Sequence, residues 1–342
     1  MKLFNFAIND TGMNQIFKDI NGNICRVPDK GVIDTTQING GWYGFLKPVE
    51  NFMEVVRERD VKTFYLERTF SLGDTLMLIP VYRRLEALGY KPYLRVAKQF
   101  CDLLERLEVR YQSEEVRPEG LGVFLNYLLE RDHTNKKLQK IPRVQIYFKA
   151  IGLPFYQDKL DWDWEPERFP EVEFSEAKEP FIVFQGKGNT ERRGLPNNVI
   201  QEVIKRLNRD KISTFYIGQS VPLPKASNRF TRKAYLTSTL PELFSWIGKA
   251  RCLITMDSSP LWVSHFTKTP TIAVLAPSRP EERLVLHPLF PEGATAVEVN
   301  KWIKCPSCFE QSVKCNHKFD CFKVDPERLY SELKKFIMRY WG

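Results

Sequence analysis

VKTFYLERTFSLGDTLMLIP, residues 61–80, decides how this chain folds. Val61–Glu67 is an apolar, aromatic run of strand length. Thr69–Asp74 holds the Ser, Gly and Asp of a turn, and Thr75–Leu88 resumes with Leu76, Ile79, Leu85 and Leu88 at helical intervals. Pro80 inside that helix is expected to kink it or to mark a late start. Downstream, Tyr93–Val96 reads as a second strand, Gln99–Leu107 as a second helix and Val109–Gln112 as a third strand. Helical pieces are expected at Leu121–Glu130 and Arg143–Ile151. Strand and helix in alternation imply parallel pairing.

A second unit of the same kind follows. Phe181–Gln185 is a strand of the buried type, followed by a polar turn, Gly186-Lys187-Gly188-Asn189-Thr190. A helix then carries Val199, Ile200, Val203, Ile204 and Leu207 on one face. Ser213–Ile217, Cys252–Met256 and Thr271–Leu275 read as further strands, with helices at Leu240–Ala250 and Ser259–Phe266. Asp325-Pro326 opens a last helix with a cap and a first-turn proline. The fold class is therefore α/β, two Rossmann-like domains joined by a linker, with a ligand expected in the cleft between them. Residues 1–60 lack a helical period and read as a β-rich N-terminal extension. Four prolines in 152–180 mark a connecting stretch. The expected boundaries are 61–160 for the first domain, 161–180 for the linker, 181–325 for the second domain and 326–342 for the C-terminal helix.

Composition narrows the function. With 24 Phe, 13 Tyr and 7 Trp in 342 residues, there is ample apolar area for two cores, which excludes disorder. No run approaches the ~18 apolar residues of a membrane span, and the N-terminus carries no signal-peptide pattern, so the expected location is cytoplasmic. The net charge of +9 suits an anionic partner; no basic run interleaved with aromatics marks nucleic acid as that partner.

Four places carry chemistry. Asp74, after the first strand, is either a helix cap or a general base in the cleft. Lys187, Arg192 and Arg193 surround two glycines at a strand-to-helix turn, either as a diphosphate site or as a solvated basic loop. The turn lacks the Lys-Ser/Thr ending of a P-loop, and the dinucleotide fingerprint is absent, which argues against that type of ATPase and against a dehydrogenase. Asp257, Ser258 and Ser259 begin another helix, as acceptor and amide donors for a nucleotide sugar or as an ordinary cap. His265, on that helix, is expected to be packed. Cys305-x2-Cys308-x6-Cys315-x5-Cys321 is either a closed thiolate site for structural iron or zinc, with His317 able to replace one ligand, or a set of reduced thiols.

Taken in order, these segments resemble glycosyltransferase family 9, the heptosyltransferases that use ADP-heptose. The matching stretches are Ser71–Leu76 with Ile79-Pro80, Arg143–Gln145 through Gly152-Leu153, residues 181–196, Leu236–Glu242, Asp257–Pro277 and the cysteine tail, within residues 62–342. The resemblance implies a GT-B fold and inverting sugar transfer without a catalytic cofactor. It makes Asp74 the catalytic base and favours that role over the cap. It puts Arg193 or Arg192 where the family places a lysine on the donor diphosphate, and assigns Gly73 and Asp257–Ser259 to donor binding; Lys187 is added on charge and position. Ser259 and Trp262 stand where the family has a glycine and a histidine. The extension and the four cysteines are similar to the autotransporter heptosyltransferase branch, in which the cysteines hold iron and the acceptors are protein hydroxyls. The expected partners are a nucleotide diphosphate sugar and a glycan or protein acceptor, with peripheral membrane association and oligomerisation left open. The rival expectation is a catalytically degenerate GT-B-like protein that binds a nucleotide or an anionic polymer.

Overall fold

A computed structural model of the chain describes residues 6–9, 15–18, 24–27, 31–34, 46–126, 141–172, 180–188, 194–218, 231–234, 239–276, 278–304, 321 and 323–341. They form two units, Met1–Trp162 and Asp163–Gly342.

The first unit opens with short strands β1 (Phe6–Asn9), β2 (Gln15–Lys18), β3 (Ile24–Val27), β4 (Gly31–Asp34) and β5 (Leu46–Val49), then helix α1 (Phe52–Glu58). The stretch 61–80 supplies β6 (Thr63–Glu67) and α2 (Leu72–Ala87), with Pro80 inside the helix. After these come β7 (Lys91–Val96), α3 (Cys101–Arg106), β8 (Tyr111–Ser113), β9 (Gly122–Phe124) and α4 (Arg143–Ile151). One sheet of seven strands results, in the order β5-β1-β4-β9-β6-β7-β8, parallel from β4 to β8 and antiparallel at β1 and β5. Residues 1–60, expected as an extension, thus contribute three strands to the first unit's own sheet, while β2 and β3 pair separately.

One expectation fails here: Leu121–Glu130 was to be helical, yet Gly122–Phe124 is a central strand bonded to β4 and β6. A short apolar run carries no period that separates strand from helix. Gly122 holds the discriminating information, because a Cβ there would stand 2.1 Å from the Tyr65 ring, so only glycine lets β9 lie against β6.

The second unit contains β10 (Ile182–Phe184), α5 (Asn197–Arg209), β11 (Thr214–Ile217), β12 (Thr231–Ala234), α6 (Leu240–Lys249), β13 (Cys252–Met256), α7 (Ser259–Thr267), β14 (Thr271–Leu275), α8 (Pro280–Arg283), β15 (Ala294–Glu298) and α9 (Pro326–Trp341). Its six strands are all parallel in the order β12-β11-β10-β13-β14-β15, the doubly wound arrangement in which the chain runs outward from β10, then returns to its other side. The apolar face of α5 (Val199, Ile200, Val203, Ile204, Leu207) and α9 (Leu329, Leu333, Phe336, Ile337) packs on one face of this sheet. Asp325 caps α9, accepting from the backbone N–H groups of Glu327 and Arg328 at 3.2 Å each. The stretch expected as a linker is not all loose connection: Trp164 and Phe169 pack on Phe244 of α6. No helix among the described residues is long and apolar enough to cross a membrane.

Candidate functional site

In a doubly wound sheet, ligands collect where two neighbouring strands send their connections in opposite directions. Both units have such a point, between β6 and β9 in the first and between β10 and β13 in the second.

At the first point, β6 ends in Glu67 and Arg68 follows it, two charged residues that are 4% and 1% exposed. Burial of this kind requires partners. Arg68 is ion-paired with Asp74 and donates to the Leu125 carbonyl at 3.3 Å, just beyond β9. Glu67 accepts from Arg95 Nη1 at 2.5 Å and from Asn126 Nδ2 at 3.1 Å. The Asn126 side-chain oxygen in turn accepts from the Thr69 backbone N–H at 2.6 Å. These bonds clamp the loop Arg68–Ser71 to the end of β9.

Ser71 is the positional cap of α2 but makes no side-chain cap bond, and its φ of +64° is one that side-chain-bearing residues rarely adopt. That strained turn places Gly73 and Asp74 in the first helical turn. Asp74 is therefore not the N-cap; its carboxylate is spent on Arg68 and keeps limited access to water, its side chain being 15% exposed. Arg68 was not singled out in the sequence. Its signal is a charged residue ending an apolar strand.

Glu67 gives a prediction with a definite sign. Burial, partly offset by Arg95, raises its pKa from 4.5 to about 6. The native state then holds this proton more tightly than the unfolded chain, so stability from this group is full below pH 4.5 and is lost as pH rises through 6. At about 1.4 kcal/mol per unit, the loss is roughly 2 kcal/mol. Urea titrations of wild type and Glu67→Gln across this window are expected to show the variant gaining that much relative to wild type. A constant difference between the two proteins would remove the assignment.

At the second point, Gln185 follows β10 and begins the glycine turn. A Cβ at Gly186 would stand 2.7 Å from Ile200, and the Leu195 N–H donates to the Gly186 carbonyl at 2.8 Å, so the loop leaves and returns at one place. Lys187 is half-buried within it. Arg192 and Arg193 lie outside the described residues. Across the switch point, Asp257 follows β13 and Ser258 is the positional cap of α7, with Ser259 its first residue. Asp257 is buried and accepts from Arg283 Nε at 2.7 Å. The Ser258 hydroxyl makes no cap bond and donates to Gln185 Oε1 at 2.5 Å, where Thr255 Oγ1 also donates at 2.6 Å. The structure therefore brings the Gly186 turn and the Asp257–Ser259 helix start together through Gln185, a residue that sequence reading did not single out.

Trp262 and His265 stack at 4.8 Å, and His287 meets His265 edge-on at 4.7 Å. All three are buried, and burial pushes the His265 pKa down to about 4, so it is a packed neutral imidazole. Of the cysteine cluster, Cys305, Cys308 and Cys315 lie outside the described residues; Cys321 is half-buried against the second unit's core. Among the described residues no group of three or more metal-ligating side chains converges.

No family model and no curated protein matches this chain. Solved structures do. The heptosyltransferase TibC from enterotoxigenic E. coli, described as iron-containing and dodecameric and solved in complex with ADP-D-β-D-heptose, superposes with a TM-score of 0.60 at 11% identity, over 100% of this chain and 93% of that one. E. coli ADP-heptose LPS heptosyltransferase II matches at 0.52 and 15% identity, covering 82% of this chain and all of that one. E. coli heptosyltransferase WaaC with ADP-2-deoxy-2-fluoro heptose gives 0.52 and 11%, with coverage of 80% and 99%. The chain has a heptosyltransferase-like GT-B fold, as the resemblance led one to expect.

Proposed function

We propose that this protein is an inverting glycosyltransferase that moves a heptose-like sugar from a nucleotide diphosphate sugar, ADP-linked, to a hydroxyl on a glycan or protein acceptor. The observation that supports it most is Asp74, held by a buried arginine at the switch point of the first sheet of a heptosyltransferase-like fold. In this reading, Asp74 takes the proton of the acceptor hydroxyl as its oxygen forms a bond to the anomeric carbon. The bond from that carbon to the diphosphate oxygen breaks on the opposite face, inverting the centre, and the nucleoside diphosphate leaves with the electron pair.

Charge developing on the leaving group is received by Lys187, Arg192 and Arg193 and by the N-terminal end of α7, a cationic and dipolar set that needs no metal for this step. Gly73 allows close approach in the first turn of α2. Asp257, oriented by its bond from Arg283, is assigned to accept from a sugar or ribose hydroxyl. The four cysteines are assigned to structural iron or zinc, on their spacing and on the fold's likeness to an iron-containing heptosyltransferase. The cytoplasm is the assigned location, where nucleotide sugars are available.

Thermal unfolding against ADP-, UDP- and GDP-sugars tests the donor. A ligand at 100 times its Kd stabilises by about 2.7 kcal/mol, a midpoint rise on the order of 5 °C. A rise confined to ADP compounds is the expected result. A rise without turnover on any acceptor would favour the degenerate binding protein, and no rise with any nucleotide would end the donor reading.

A further inference from the structure

Gln185 is 7% exposed and stands at the second switch point. Its two side-chain contacts, 2.6 Å to Thr255 Oγ1 and 2.5 Å to Ser258 Oγ, have the length of O–H···O bonds, which places the amide oxygen at the hydroxyls and leaves the NH2 group on the other side. Among the described residues that nitrogen has no hydrogen-bond partner. Alongside runs Gly218, with φ +114°; a Cβ there would stand 3.7 Å from Gln185 Cγ, so glycine keeps a side chain from lying over this stem.

The same bond has a second effect. Ser is a strong helix cap, and its hydroxyl ordinarily satisfies the second or third N–H of the helix it precedes. Here the Ser258 hydroxyl is turned onto Gln185, and the nine-residue α7 begins without a side-chain cap. Pro260 has no N–H and the Leu261 N–H donates to the Ser258 carbonyl at 3.1 Å, so the donor this helix end offers, with the positive end of its dipole, is the Ser259 backbone N–H beside the unspent amide donors.

We propose that Gln185 is a phosphate-binding and positioning residue. It holds the Ser258 hydroxyl and donates its own N–H, with the Ser259 backbone N–H at the start of α7, to an oxygen of a diphosphate group. This rests on the donor reading above and adds to it a neutral side chain, where charge and motif pointed only to Lys187, Arg192 and Arg193.

The test titrates inorganic pyrophosphate into wild type, Gln185→Met and Gln185→Glu by calorimetry, with urea midpoints for each. Met removes donors and acceptor together. Thr255 and Ser258 then have the Met256 carbonyl, at 3.1 and 3.5 Å, as an alternative acceptor, so the variant is expected to fold. Glu keeps both hydroxyl bonds and loses only the donors, while adding a negative charge. Both variants are expected to bind pyrophosphate at least ~10-fold more weakly at unchanged midpoints, Glu the weaker of the two. The added charge of Glu repels pyrophosphate whatever Gln185 does, so Gln185→Met decides. If Gln185 merely braces the two loops, that variant would lose its urea midpoint together with its binding, and that result overturns the proposal, as does equal binding by Gln185→Met or no pyrophosphate binding by wild type. Pyrophosphate binding that depends on Gln185 in a protein that binds no nucleotide upholds this site and removes the donor reading. Nucleotide binding untouched by either substitution does the reverse.

Discussion

Asp74→Asn is expected to lower turnover by about 10²–10⁴-fold while leaving nucleotide affinity within about 2-fold. The substitution keeps the volume and one oxygen for Arg68 but removes the basic atom, so an interaction needed as the acceptor proton leaves is lost while donor binding is not. It also strips the counter-charge from a guanidinium that is 1% exposed, and a stability cost of roughly 1–3 kcal/mol accompanies it. The two effects separate cleanly. Single-turnover rates measured well below the melting midpoint report the chemistry, and the urea midpoint reports the lost charge pair. Full turnover by the folded variant would take the base assignment away from Asp74.

Arg68→Met is the second large effect. It removes the one cation paired with Asp74 among the described residues and the bond to the Leu125 carbonyl. Breaking a buried ion pair from one side costs about 3–5 kcal/mol; some 3 kcal/mol is expected here, because Asp74 keeps a little contact with water. Activity is expected to fall ~10-fold or more, since nothing then sets the carboxylate's direction. The double variant Arg68→Met/Asp74→Leu supplies the control. Replacing both charges is expected to cost at least ~1 kcal/mol less than the sum of the single replacements, measured by urea unfolding. Strict additivity would mean that the pair contributes nothing to this loop.

What could be read from the chain beforehand divides along a physical line. Strands such as Cys252–Met256 and Thr271–Leu275, buried on both faces, announce themselves as continuous apolar runs, and α5 and α6 by their period. β12 and β15 were not anticipated; Thr231–Ala234 and Ala294–Glu298 are short and partly polar, and only their neighbours make them strands. Gly122–Phe124 went astray because its decisive constraint, the Tyr65 ring, lies 57 residues away in sequence. The same holds at the two switch points. Asp74 was visible as an acidic residue after a strand and glycine. The roles of Arg68 and Gln185 exist only once Leu125 and Ser258 have been brought beside them. Local chemistry is legible in a single chain, but the partners that orient it come from topology.

The parallel bonding of β4 to β9 makes the leading segment the neighbour of the loop that holds Asp74. A chain that began at residue 61 would present β9 with a bare margin of N–H and C=O groups, a template for adhesion to any passing strand. The loop that holds Asp74 is tied to that same strand through Leu125 and Asn126. The leading segment therefore acts as a hem: it closes the fabric where it would fray, next to the threads that hold the proposed base. An appendage could be trimmed without loss; this segment is woven into the sheet, and cutting it away would unravel the margin beside Asp74.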